Sequence, residues 1–127
     1  MKTAIFRNFV LVLSFALVSI NAMAQRGGPK DPNTLLNRSF WEKKPSISTI
    51  EATIKEGHSA TVANDGGFDA TTFALLANSP LATIKYLVEQ GNDVNKKTHD
   101  SRTYIFWAAY SGNIEAMEYL IEKGAKL

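Results

Sequence analysis

The sequence contains no cysteine, and this absence removes several kinds of site at once. Without thiols the chain forms no disulfide, holds no cysteine-ligated metal and carries no lipid attached through cysteine. Only two histidines are present, His58 and His99. Because a protein metal site needs several histidine, cysteine or carboxylate ligands that converge, we expect neither a metal nor a cofactor.

The chain also lacks a surplus of either charge outside its first residues. It holds 14 basic and 12 acidic residues, and two of the basic ones, Lys2 and Arg7, lie within residues 1–24, which contain no acid. The remaining 12 basic residues therefore balance the 12 acidic ones. A nucleic-acid-binding domain needs a clustered basic face, so we expect no nucleic-acid partner. The isolated pair Lys96-Lys97 is expected to lie in solvent.

Residues 1–24 have the pattern of a secretory signal peptide. After the basic start, an apolar run extends from Phe9 to Ile20, and the segment ends in Ala22-Met23-Ala24. An apolar core of this length and a small-x-small ending are typical of a cleaved signal. The alternative is an uncleaved membrane anchor, but the run is short for about 30 Å of hydrocarbon. We predict cleavage between Ala24 and Gln25, which would place the mature protein in the periplasm or outside the cell, without membrane attachment.

Glycine and proline separate this segment from the first predicted helices. Residues 25–32 contain two glycines and two prolines and therefore predict a flexible linker. A helix carrying Leu35 to Trp41 is predicted next, capped by Asn33 or Thr34. Lys44-Pro45 ends it, because the residue before a proline is disfavoured in the helical region.

A second helix is predicted after that proline. Ser48 and Glu51 stand at the spacing of a capping box, and Gly57 closes the helix. Two helices joined by a short turn make residues 33–57 a helix–turn–helix unit.

The last quarter of the chain contains two more short apolar helices. The first is predicted from Thr103 to Tyr110, the chain breaks at residues 111–113, and the second runs from Ile114 to Lys123. Gly124 ends the second helix because glycine adopts a left-handed conformation at little cost. A pair this small cannot bury both of its faces alone, so it needs another copy beside it.

The preceding part of the chain provides that copy. A single shift of the sequence along itself lays residues 70–91 over residues 103–124. The residues that coincide include Phe73 with Phe106, Ile84 with Met117, and Gly91 with Gly124. A helix–turn–helix unit that recurs with a period near 33 is typical of a stacked repeat array.

The last unit also matches a known sequence pattern: Thr-Pro-Leu-His, a pair of small residues, Gly-His, Leu-Leu and finally Gly-Ala. The residues that agree with it are Thr103, Ala108, Ala109, Gly112, Gly124 and Ala125. With these residues the unit resembles an ankyrin repeat. Tyr104 and Phe106 replace the proline and histidine of the pattern, so the usual polar tie between threonine and histidine cannot form.

This resemblance implies an all-α fold, an ankyrin-type helix–turn–helix repeat solenoid, over residues 33–127. About three repeats are expected, at residues 33–57, 68–91 and 101–124. The first lacks the pair of small residues, and terminal repeats of solenoids are commonly atypical in this way.

The resemblance further implies a surface for a protein partner, formed by the finger tips between repeats and the exposed side of each first helix. Carried over by position, the partner-binding residues are His99, Asp100 and Arg102 on one finger, Tyr110 and Ser111 on the adjoining helix, and Asp69 and Asn78 in the preceding repeat. Tyrosine and arginine are residue types that often anchor interfaces. The alternative is a structural role, with Tyr110 packed on a neighbour and Arg102 paired with Asp100 or Asp69.

Three functions follow from these patterns. The leading one is a non-enzymatic module that binds a protein partner. A second is self-association through the outer side of the last helix pair, where some of Ile105, Trp107 and Ile114 are expected to expose apolar surface. The third is a hydrolase that uses His99 and Asp100, but no serine or cysteine nucleophile stands in a strained turn, so we expect no enzyme.

Overall fold

The computed structural model describes residues 30–127, so the predicted signal peptide and most of the predicted linker lie outside the described residues. Within this range the chain forms six α-helices and no strand beyond one isolated bridge between Ala63 and Asp69. The helices are α1 (Arg38–Glu42), α2 (Ile47–Lys55), α3 (Ala70–Leu76), α4 (Leu81–Glu89), α5 (Tyr104–Tyr110) and α6 (Ile114–Glu122). Short 3-10 turns lie at Thr34–Leu36 and His99–Ser101. The predicted all-α fold is confirmed.

The helices pair along the chain and stack in two layers. Helix α3 packs on α4, and α5 packs on α6, as helix–turn–helix units require. Neighbouring units meet through like helices, α3 against α5 and α4 against α6, while α1 packs on α3. One layer therefore holds the first helix of each unit, and the other layer holds the second. In this part of the chain no helix is long and apolar enough to cross a membrane.

The repeat period differs between the two layers, which corrects the single shift predicted from the sequence. Helices α4 and α6 begin at Leu81 and Ile114, so their first residues are separated by the shift that the sequence predicted. Helices α3 and α5, which begin at Ala70 and Tyr104, are offset by one position more. The turn between α3 and α4 holds four residues, whereas the turn between α5 and α6 holds three, so the extra residue lies in the first of these turns. Phe73 consequently matches Trp107 in the stack and not Phe106.

The first unit contains a break that its sequence pattern did not predict. Asn33 caps a 3-10 turn, because its side chain accepts a hydrogen bond from the Leu35 amide at 3.1 Å. The backbone then becomes extended at Asn37, and α1 begins only at Arg38. The indole N–H of buried Trp41 donates to the Leu35 carbonyl at 2.8 Å and so joins the two pieces.

The predicted capping box of α2 is also absent. The N-cap is Ser46, whose hydroxyl accepts a hydrogen bond from the Thr49 amide at 3.2 Å. Ser48 lies inside the helix instead. Ser46 has an extended backbone and directly precedes α2, so its side chain faces the first free amides of the helix.

A continuous apolar core runs between the layers. Its fully buried side chains include Leu35, Trp41, Ile50, Leu75, Ile84, Leu87 and Leu120. Burying one such aliphatic side chain contributes about 1.5–3 kcal/mol. Ala74 and Ala108 are also fully buried, and their small size lets α3 and α5 approach closely.

The outer side of the last helix pair is apolar, but its residues differ from those predicted. Ile114 is 67% exposed, as expected, whereas Ile105 and Trp107 are only 7% and 6% exposed. Phe106 at 42% and Ile121 at 49% are exposed instead. Trp107 is buried because it packs toward the preceding unit, where its ring lies 5.8 Å from that of Phe68.

A buried carboxylate, Asp69, connects three parts of the fold. Its side chain is fully buried and caps α3 by accepting hydrogen bonds from the Thr72 amide at 2.9 Å and the Thr72 hydroxyl at 2.8 Å. The Tyr104 hydroxyl of α5 donates to its other oxygen at 2.5 Å. The Lys96 ammonium reaches the same oxygen at 2.9 Å. A buried charge is tolerated only when it is paired and hydrogen-bonded in this way.

This network corrects the expectation that Lys96 lies in solvent. The Lys96 side chain is 27% exposed, and its ammonium also donates to the Thr61 carbonyl at 2.6 Å. Tyr104 is fully buried, and burial first, then the negative charge of Asp69, raises the pKa of its hydroxyl far above the ordinary value of 10.0. The hydroxyl therefore stays protonated and remains a hydrogen-bond donor.

Asparagine amides fasten successive units to one another. The Asn92 side-chain amide is buried and donates to the Ala60 carbonyl at 3.0 Å, across the junction between the first and second units. Asn95 donates to the Gly124 carbonyl at 2.9 Å and accepts from the Lys126 amide at 2.8 Å, across the next. These bonds satisfy backbone groups of the segments between and after the helices.

Replacing Tyr104 with phenylalanine tests the Asp69 network through its pH dependence. At pH 7 the variant should lose about 1–2 kcal/mol of unfolding free energy, because Asp69 loses a donor. A tyrosine whose pKa is raised by folding contributes stability that is present below about pH 10 and is lost as the pH rises above it. The unfolding free energy of the native protein should therefore fall above about pH 10. The difference between it and the unfolding free energy of Tyr104→Phe should narrow over the same range. Urea unfolding at a series of pH values measures both.

The matched control is Tyr110→Phe, because the Tyr110 side chain is 73% exposed and is not bonded to Asp69. Its unfolding free energy should follow that of the native protein across the pH series. A Tyr104→Phe curve that stayed parallel to the native curve at all pH values would contradict the proposed role of the Tyr104 hydroxyl.

Candidate functional site

The first finger, residues 63–69, is a tight loop organised by one side chain. The backbone N–H of Asn64 donates to the Phe68 carbonyl at 2.9 Å. The Asn64 side-chain oxygen accepts hydrogen bonds from the Gly66 and Phe68 amides, each at 3.0 Å. Gly67 adopts a φ of +78°, which glycine allows at little cost. This loop ends where Asp69 begins α3.

The second finger, residues 97–102, is closed by Thr98. Its amide donates to the Arg102 carbonyl at 2.9 Å, and its hydroxyl donates to the same carbonyl at 2.5 Å. The hydroxyl also accepts from the Trp107 indole at 2.7 Å, which fixes the finger to α5. At the tip, Asp100 and Ser101 have φ of 54° and 60°. Non-glycine residues in this region carry strain, of the kind that often accompanies functional loops.

The two fingers contact each other directly. The His99 ring nitrogen Nδ1 lies 2.8 Å from the Gly66 carbonyl oxygen, and the His99 ring stacks on Phe68 with 4.6 Å between centroids. A Cβ atom placed on Gly67 would lie 3.0 Å from the His99 amide nitrogen. The finger tips therefore form one continuous surface and not two independent loops.

Arg102 is held in position from two sides. Its guanidinium nitrogen lies 3.0 Å from an Asp100 carboxylate oxygen. The guanidinium carbon lies 4.7 Å from the centre of the Phe106 ring and 5.6 Å from that of Trp107. The alternative pairing of Arg102 with Asp100 is thus present, but about half of each side chain stays accessible, at 40% and 60% exposure.

Tyr110 is the most exposed aromatic residue of this region, at 73%. Its ring lies nearly parallel to that of Phe106, with 6.4 Å between centroids, and stands across the Trp107 ring at 6.2 Å. We call the exposed parts of His99, Asp100, Arg102, Phe106 and Tyr110 the finger–helix surface. Phe106 was not among the predicted partner-binding residues, and its position four residues before Tyr110 is the signal that could have placed it here.

The remaining predicted residues lie at the edge of this surface or away from it. Ser111 is half-buried and follows Tyr110 at the end of α5, while Asn78 is exposed in the turn after α3 with a φ of 51°. Asp69 has no exposed surface, because its oxygens are used inside the fold. It therefore offers a partner nothing to contact, and we remove it from the predicted set.

The geometry around His99 also bears on the hydrolase hypothesis. Its Nε2 lies 3.3 Å from an Asp100 oxygen, while Nδ1 faces the Gly66 carbonyl. Both ring nitrogens thus face acceptors, and neither faces a hydroxyl that it could deprotonate. His58 bonds to Thr34 in the first unit and does not join His99. Residues 30–127 contain no group of three or more potential ligands placed to hold a metal ion.

Contact between the fingers predicts unequal costs for two glycine substitutions. Gly57 and Gly67 both have positive φ, so alanine at either should cost about 1 kcal/mol of unfolding free energy. A Cβ at Gly57 meets nothing within 4 Å, whereas one at Gly67 would press on the backbone of His99. Gly67→Ala should therefore cost about 1 kcal/mol more than Gly57→Ala in urea unfolding. Equal costs would mean that the fingers separate freely.

Comparison with known proteins agrees with this architecture. A family model described as ankyrin repeats (3 copies) matches residues 42–127. No curated protein matches the chain. The matched range covers more than half of the sequence and includes α2 to α6 with both fingers. The resemblance noted in the sequence is thereby confirmed, and the chain belongs to the ankyrin repeat family.

Proposed function

We propose that this protein is an exported, non-enzymatic module that holds a protein partner against the finger–helix surface. Ankyrin repeats are generally protein–protein interaction modules, and the family is typically non-enzymatic. The observation that carries the proposal is the pairing of an exposed tyrosine with an arginine that is already fixed in place. Ser111 and Asn78 extend the surface at its edge.

Tyr110 supplies the apolar part of the contact. Its ring is 73% exposed and already rests on Phe106, so a partner that covers it gains area without displacing a packed group. Aromatic side chains contribute large contact areas, and tyrosine loses little conformational entropy because it has few rotatable bonds. A tyrosine in this position is suited to fill a shallow apolar pocket on the partner.

Arg102 supplies the polar part. Asp100 and the two aromatic rings fix its guanidinium before any partner arrives. Part of the entropy cost of ordering a long side chain is thus already met in the free protein. A guanidinium has five donor hydrogens, and the ion pair with Asp100 leaves several of them for carbonyl or carboxylate oxygens of the partner.

Export is the second part of the proposal. It rests on the basic start, the apolar run and the Ala22-Met23-Ala24 ending of residues 1–24. The absence of cysteine agrees with a protein that needs no disulfide in an oxidising compartment. We therefore place the mature protein, from Gln25 onward, in the periplasm or outside the cell.

The binding proposal is tested with the double variant Tyr110→Ala, Arg102→Ala. The immobilised mature protein is exposed to an envelope extract of the producing cell, and retained proteins are quantified by mass spectrometry. Removing both anchors should lower the amount of the specifically retained protein at least about tenfold, as expected for two interface anchors.

The control carries Lys55→Ala and Val62→Ala, two exposed residues outside the finger–helix surface. It should retain the same proteins as the native chain. Retention that is equal for the double variant and the control would reject the finger–helix surface as the binding site.

The export proposal is tested by producing the full chain in a Gram-negative host and measuring the intact mass of the protein in each fraction. We expect a species that begins at Gln25 in the periplasm or medium. Replacing Ala22 and Ala24 with aspartate should leave the longer species, because the cleaving enzyme requires small residues there. A native protein that retains Met1 in every fraction would exclude the cleavage.

A further inference from the structure

Helix α6 carries two parallel stripes of opposite character. The apolar stripe consists of Ile114, Met117 and Ile121, and the acidic stripe of Glu115, Glu118 and Glu122. In each stripe the residues follow one another at intervals of three and four, which places them in a row along one side of a helix. We call these rows the apolar ridge and the acidic stripe of α6.

The apolar ridge lies where the preceding unit makes its contact with a neighbour. When α4 is aligned with α6 from their first residues, Met117 corresponds to Ile84, which is fully buried in the core of the stack. Ile121, corresponding to a half-buried valine of α4, is 49% exposed, and Ile114 is 67% exposed. The ridge thus lies at the position by which α4 packs in the stack, and within residues 30–127 Ile114 and Ile121 stay exposed while Met117 is half-buried against the core.

The acidic stripe borders a groove between α4 and α6. The groove has a volume of about 290 Å³ and is lined by Leu81, Lys85, Glu115, Glu118, Tyr119 and Glu122. Its lining therefore carries three negative charges and one positive charge. Within residues 30–127 none of the three carboxylates takes part in a salt bridge.

Tyr119 lies in the wall of this groove with an unsatisfied group. Its side chain is only 5% exposed, and its hydroxyl has no hydrogen-bond partner in the described part of the chain. The Lys85 and Lys123 ammonium groups lie 5.4 Å and 5.8 Å from the centre of the ring. A cationic group is thus already accommodated over this ring, and the unpaired carboxylates leave room for others.

A second copy of this chain fits the face poorly. If two α6 helices paired antiparallel across a two-fold axis, acidic stripe would face acidic stripe, and in a parallel two-fold pair neither stripe would have a basic row opposite it. Like charges in direct opposition disfavour such a contact. No other helix of residues 30–127 carries an apolar row beside a row of lysine or arginine that could serve as the complement.

We propose that the apolar ridge and acidic stripe of α6 form a second docking surface, for an amphipathic basic helix of a partner protein. The apolar side of such a helix covers Ile114, Met117 and Ile121. Its lysine or arginine side chains reach the carboxylates that border the groove. This mode of binding, a helix laid on an apolar row, is common among protein complexes and uses a face distinct from the finger–helix surface.

The probe is a synthetic helical peptide of about five turns with leucine along one side and lysine elsewhere. The control peptide has the same leucines but glutamate in place of every lysine. Binding to the mature protein is measured by fluorescence anisotropy at low and high salt. We expect the lysine peptide to bind at least about tenfold more tightly than the glutamate peptide, and salt to weaken its binding.

Two sets of variants separate the two stripes. Ile114→Ser with Ile121→Ser should weaken the lysine peptide about tenfold and preserve the effect of salt. Glu115→Gln, Glu118→Gln and Glu122→Gln together should weaken it by a similar factor and abolish most of the effect of salt. All five side chains are exposed, and glutamine has the shape of glutamate, so the fold is expected to persist; circular dichroism checks this.

The controls carry equivalent changes elsewhere: Val62→Ser for the apolar residues, and Glu51→Gln with Glu56→Gln for the acidic ones. Both should bind the lysine peptide within about twofold of the native protein. Equal affinity for the two peptides, or stripe variants that behave like the controls, would overturn the proposal. So would a dimer in light scattering that Ile121→Ser dissociates, because a second copy would then cover the ridge.

Discussion

The fold depends above all on how Asp69 keeps a negative charge in the interior. A carboxylate without solvent needs donors on every side, and this one receives them from its own helix, from the next repeat and from the segment between them. Satisfying it therefore fixes the start of α3, the position of Tyr104 on α5 and the path of the chain at Lys96.

The sequence was sufficient to predict the helices because their signals are local. Small residues, closing glycines and apolar spacing predicted the last two helices to within one or two residues of their bounds. The register between repeats could not be obtained in the same way. One additional residue in the turn that ends at Pro80 changes the offset between α3 and α5 by one position. An alignment of the two repeats by residue similarity does not show where in the unit this residue is inserted. Only the packing of α3 on α5, in which Ala74 and Ala108 are both fully buried, decides its position.

The candidate site was predictable in outline, because finger tips and first helices follow from the repeat. Its details depend on contacts between residues far apart in sequence. Asp69 and Arg102 both look like exposed finger residues, yet one is buried by Tyr104 and the other is fixed by Asp100 and Phe106. The two stripes of α6 are visible in the sequence as alternating pairs of apolar and acidic residues. What the sequence cannot indicate is which of those rows the neighbouring helix leaves uncovered.

The turn of four residues between α3 and α4, against three between α5 and α6, also bears on how such an array can change. The extra residue does not disrupt the stacking of the last two units, since α3 still meets α5 and α4 still meets α6. Length variation is thus absorbed at a surface turn, where backbone changes are generally tolerated. A duplication or fusion joined at this turn would leave α3 whole, and it would keep the buried carboxylate network where the part that follows supplies a lysine and a tyrosine equivalent to Lys96 and Tyr104. The turn is therefore a natural point at which repeats of this protein can be exchanged or recombined.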